Sequence, residues 1–311
     1  MAYAVLEERL LILHSYFKDD GDAAVNTLLF SSLLGTPFNS NIVKNVLESI
    51  SNSEDTELRK IQEIICTDDK TASLSDMHYE IIEEVYEILS RYTSFTSVYE
   101  YRHSLLNIFL EKQLEYILKD TTLETKDKLF ELILHEIVKE EKQQDFYGEH
   151  EQSLKTKEYE NMLFFRTIEQ NVLRVAYQNR PSVWAEQYTR SLNNLASSLS
   201  KKADYQVALI YFEEYFQIID FTQEDDIKNF IYPVVKWYQC ILRLENTEKP
   251  LELDVIIKSL ISLYKGKLDK SYIDRIKEEE ISYKKLSDGS VSTFDKEKYD
   301  IFVKLFIKEE I

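Results

Sequence analysis

Three groupings of side chains in this sequence have the types and spacing that metal or acid–base chemistry uses. Glu100-Tyr101-Arg102-His103 reads Glu-x-x-His, which on a helix puts a carboxylate and an imidazole on one face. A two-metal carboxylate bundle needs two such pairs and further inward carboxylates, whereas this sequence carries one pair. Glu131 and His135 stand four apart, again a same-face spacing, and Glu149-His150-Glu151 lies in a polar stretch. In a chain with 56 Asp and Glu, such neighbours arise on any solvated helix. They read as surface pairs, and no metal or cofactor is expected. The sequence has no G-x-G-x-x-G, G-x-x-x-x-G-K-[ST], H-E-x-x-H or G-x-S-x-G. Its 5 glycines also leave little for tight catalytic loops, so an enzyme is not expected. Cys66 and Cys240 are far apart, outside any C-x-x-C pair, and read as buried free thiols.

One stripe offers a different chemistry, recognition by hydrogen bonds. Glu186, Arg190, Asn193 and Ser197 recur at spacings of three and four, with Asn194 beside them. An Asn side chain carries donor and acceptor together and can bridge a peptide backbone, and Arg190 can meet a carboxylate. A plain solvated face with helix-end hydrogen bonds has the same composition, so both readings stand.

The elements that must position this stripe are helices. The 311 residues include only 5 Gly and 4 Pro, far fewer turn-formers than a β-sandwich or α/β protein of this size uses. Apolar residues recur at three and four in run after run: Leu6, Leu10, Leu13 and Phe17; Met77, Ile81, Val85, Ile88 and Tyr92; Leu106, Leu110, Leu114 and Ile117. Gly35-Thr36-Pro37 stops an early helix, Asn39 or Ser40 can cap the next, and Ser53 the one after. Between Leu123 and about Glu141 the apolar arc is wide (Leu129, Phe130, Ile133, Ile137), as for a helix with neighbours on two sides. The polar stretch 142–153 separates an N-terminal helical region, 1–145, from a second region, 155–311, although one continuous array fits as well. The expected class is all-α, with no regular sheet.

In the second region Ser182 can cap a helix carrying Tyr188, Leu192, Leu195, Ala196 and Leu199 on one face. Lys201-Lys202-Ala203-Asp204 breaks it, and a further helix carries Ala208, Phe212, Tyr215 and Ile219. Small residues on both helices describe a helical hairpin. Leu195-Ala196, Leu199, Asp204-Tyr205, Ala208 and Phe212 fall in the order that resembles a tetratricopeptide repeat over residues 186–219. Ala203 stands where that family has its turn glycine, and Tyr215 where it has a late small residue. The resemblance implies a degenerate helical-repeat α-solenoid, because one repeat cannot bury its own apolar face. It also implies a concave side on which Glu186, Arg190, Asn193, Asn194 and Ser197 hold a peptide or protein segment.

Charge narrows the partner. A net charge of −18 without a basic cluster repels phosphate, so no nucleic acid is expected. The acid surplus keeps the surface solvated, or favours a partner with basic flanking residues. No apolar run approaches a membrane span, and no cleavage site follows the first apolar run, so the expected location is cytoplasmic. The function so implied is that of a non-enzymatic adaptor or regulator. The alternatives are a peptide-responsive sensor like the bacterial quorum regulators, or a helical subunit of a larger effector assembly.

Overall fold

The computed structural model describes residues 2–17, 21–65, 85–87, 98–101, 104–143 and 151–219, together with Pro233, Lys236, Trp237 and Cys240. These residues are mostly helical, as expected. Two compact units divide the chain, Met1–Tyr188 and Thr189–Ile311.

The first unit is built around α2 (Gly21–Leu34), which packs against α1 (Ala2–Phe17), α3 (Ser40–Ser51), α5 (Ser104–Ile117) and α7 (Glu151–Asn179). Leu28, Leu29, Phe30, Leu33 and Leu34 are buried, and so are Asn26, Thr27, Ser31 and Ser32. A helix covered on all sides must satisfy its own polar groups. Ser31 and Ser32 do so by donating to the Leu28 and Leu29 carbonyls, both at 2.6 Å.

The end of α2 falls where glycine and proline predict it. Gly35 has φ 81°, and a Cβ there would lie 2.2 Å from Asn171 Nδ2, so both backbone and neighbour demand glycine. That same Asn171 nitrogen donates to the Leu34 carbonyl at 2.9 Å, joining α7 to the end of α2. Asn39 then caps α3, its side chain accepting from Asn41 N at 2.8 Å. α4 (Thr56–Ile65) is capped by Asp55 and not by Ser53. Asp55 Oδ1 accepts from Glu57 N at 2.8 Å and Leu58 N at 3.4 Å, while the Ser53 hydroxyl accepts from Asp55 N. The carboxylate is the stronger acceptor and lies next to the first turn.

The expectation of no sheet is overturned. β1 (Phe38–Asn39), β2 (Val85–Glu87) and β3 (Val98–Tyr101) form a three-stranded antiparallel sheet in the order β1-β3-β2. Phe38 pairs with Tyr99 and Val85 with Tyr101. The helix expected through Met77, Ile81, Val85, Ile88 and Tyr92 is thereby broken at its centre; its other four stripe residues lie outside the described residues. Val98, Tyr99 and Tyr101 are buried, and β-branched and aromatic side chains suit a covered pleated surface. The Tyr101 hydroxyl shares a hydrogen bond of 2.5 Å with Ser31 Oγ, tying the sheet to α2.

Leu106, Leu110 and Leu114 on α5 are buried as their spacing requires. α6 (Leu123–Gln143) buries Leu129, Phe130, Ile133 and Ile137 and packs against α7 as well as α3 and α4, the expected two-sided helix. α8 runs Pro181–Lys201, so proline and not a Ser182 cap opens it. The first helical position wastes no donor on proline, which is why proline is favoured there. Asp127 of α6 holds this start: Arg180 donates to Oδ2 and the Trp184 indole N–H to Oδ1, both at 2.6 Å. Trp184 is buried edge-on against Phe130.

In the second unit, α8 ends in a turn whose hydrogen bonds define its shape. Asp204 N donates to Leu199 O at 3.0 Å and Ala203 N to Ser200 O at 3.1 Å, the paired closure of a left-handed helix end. Ala203 takes φ 65° there. α9 (Tyr205–Ile218) follows at once, and Leu195, Ala196, Leu199, Ala208 and Phe212 are all buried. Phe216 meets Trp237 edge-on at 5.9 Å, and Cys240 is a buried free thiol. Cys66, the stretch 144–150 and residues 241–311 lie outside the described residues.

Candidate functional site

Of the groupings with metal-like spacing, only Glu131 and His135 lie wholly among the described residues. Glu100 is in β3, and His103 lies outside the described residues. Glu131 pairs with Lys128 at 3.2 Å, while the exposed His135 meets Glu136 at 3.4 Å, so the two residues have separate partners. Glu149 and His150 lie outside the described residues. Among the described residues, no three His, Cys, Asp or Glu side chains gather as a metal site. No helix among them is long and apolar enough to cross a membrane.

The polar stripe lies on α8. Glu186 is exposed and belongs to the first unit; Arg190, Asn193, Asn194 and Ser197 belong to the second. Arg190 is exposed, and the other three are half-buried. Opposite them Leu192, Leu195, Ala196 and Leu199 are buried, so the helix is amphipathic in the sense its spacing predicts.

Within this stripe two atoms stand out. Asn193 Oδ1 and Ser197 Oγ, one turn apart, are shielded from solvent and have no hydrogen-bond partner. The neighbouring Ser198 shows what a serine here normally does, because its hydroxyl donates to the Asn194 carbonyl at 2.8 Å. Ser197 makes no such bond. Each shielded polar atom without a partner costs about 1–3 kcal/mol. Sequence spacing located these two residues but could not show that their oxygens are unpaired, since shielding depends on distant packing. Asn194, by contrast, already has an interaction of its own.

One carboxyl in the second unit is perturbed. Burial pushes Glu213 of α9 up from the usual carboxylate range, and the Trp237 indole N–H works against that shift. Sequence reasoning gave no sign of this pair, because Trp237 is distant in the chain.

Comparison of the chain with known families, characterised proteins and solved structures finds no match. The reading of the site therefore rests on its own chemistry.

Proposed function

We propose that this protein is a non-enzymatic adaptor whose α8 polar face holds an extended or helical segment of a partner protein. The observation that carries the reading is the pair of unpartnered oxygens on Asn193 and Ser197. Both side chains are half-buried, so rotation about one or two bonds brings each oxygen to the surface. A partner backbone that bonds them removes a cost the free protein bears. Exposed Arg190, one turn before Asn193, supplies the charge that meets a partner carboxylate. The acid surplus of the chain favours basic residues flanking that segment.

The likeness to a tetratricopeptide unit supports the same reading. In such arrays the first helix of each pair faces the ligand, and here the first helix is α8. Ala203, with φ 65°, stands at the position where the repeat uses glycine, and its backbone has the conformation glycine would serve. On this reading the second unit is a degenerate helical-repeat array.

The test is a parallel capture from the native host with the full chain and with the Asn193→Ala/Ser197→Ala variant. Proteins retained by the first and lost by the second mark this face as the interface. A Gln206→Ala variant, altering an exposed residue of α9, should retain them. Identical sets with all three proteins would contradict the reading.

A further inference from the structure

In the first unit a cavity of about 190 Å³ opens between α5, α6 and α7. Leu114, Leu118, Leu129 and Phe130 form its apolar wall. Glu111, Glu115 and Lys126 also line it, from α5 and α6. Glu111 is engaged: Arg174 meets it at 3.2 Å and Asn107 donates to it at 3.0 Å. Glu115 and Lys126 are not. Among the described residues neither side chain has an ion pair or a hydrogen bond, although they carry opposite charge and border the same opening.

We propose that this cavity binds a free α-amino acid with an apolar side chain. The ligand must carry a cation for Glu115, an anion for Lys126 and an apolar body for the wall behind them. An α-amino acid has both charges on one carbon and its side chain on the same carbon. A dry cavity of about 150 Å³ admits a benzene ring, so this one takes a leucine or phenylalanine side chain and leaves the charged end at the opening. Two amides add neutral partners there. Gln178 lines the opening, and Asn179 uses only its Nδ2, donating to the Val175 carbonyl at 2.8 Å. The Asn179 carbonyl oxygen is left to accept from an ammonium group. Burying the ligand's apolar part supplies the affinity, and the paired charges reject molecules lacking either one.

Calorimetric titration of the full chain tests this, with L-leucine and L-phenylalanine as the probes. The comparison ligands are glycine, which lacks the apolar body, isopentylamine, which lacks the carboxylate, and 4-methylpentanoate, which lacks the ammonium. Saturable binding of leucine or phenylalanine is expected, with each truncated ligand weaker by roughly tenfold or more. Glu115→Gln and Lys126→Gln should each weaken leucine by roughly tenfold, while the melting temperature of the unliganded protein stays unchanged. Absence of binding by both probes would overturn the proposal. So would isopentylamine or 4-methylpentanoate binding as tightly as leucine, or leucine binding indifferent to both substitutions.

Discussion

Single residues carry two separable effects in the second unit. Ala203 sits at φ 65°, where a Cβ crowds the backbone and costs roughly 1–2 kcal/mol. Glycine removes that strain but gives the unfolded chain more freedom, worth about 0.4–1 kcal/mol in the opposite direction. The first effect is larger, and Ala203 is exposed and packs nothing away. Ala203→Gly should therefore stabilise the protein by about 0.5–1 kcal/mol, read by chemical denaturation. A loss of stability would mean the turn does not have this shape. Glu213 acts through charge. Its folded carboxyl is raised, chiefly by burial, so its favourable contribution exists below the unfolded value and is lost as pH rises through the folded one. At neutral pH the ionised group is a burden. Glu213→Gln should raise the melting temperature at about pH 7, and the gain should vanish as pH falls to about 4. A pH-independent difference would point to packing instead.

At the level of elements, spacing was readable wherever one face of a helix is covered. Leu106, Leu110 and Leu114 announce α5, and Asn39 announces the start of α3, because capping and periodicity act over neighbouring residues. The strands were not readable. Val85 sits in a three-and-four apolar run that a helix uses equally well, and β1 pairs with β3 across some sixty residues of chain. Nothing local at Phe38 declares Tyr99 its partner. The cap of α4 was misread for a smaller reason, since Ser53 and Asp55 are both competent and only geometry chooses between them. The burial of α9 allows a direct check. Ala208 is fully buried on α9, so Ala208→Leu forces extra volume into a closed space. It should cost about 1–3 kcal/mol by overpacking, measured as a shift in the denaturation midpoint. A wild-type midpoint would show that Ala208 faces open space.

For the whole molecule, the proposed function depends on the polar face of α8. The residues of that face could be found from sequence, because exposed Arg190 and half-buried Asn193 and Ser197 follow helical spacing. Their unpaired oxygens could not, because shielding is decided by packing and not by spacing. Asn194, which the sequence ranks equally with Asn193, already has an interaction of its own and is the weaker choice for substitution. The decisive measurement is the affinity of a captured partner for the wild-type chain and for the Asn193→Ala/Ser197→Ala variant, together with the melting temperature of each. Loss of two hydrogen bonds at the interface should weaken binding by about 1–3 kcal/mol. The melting temperature should hold or rise, because truncation removes two shielded groups that lack partners in the free protein. Unchanged affinity would make this face ordinary surface, and a lower melting temperature would make the two side chains structural.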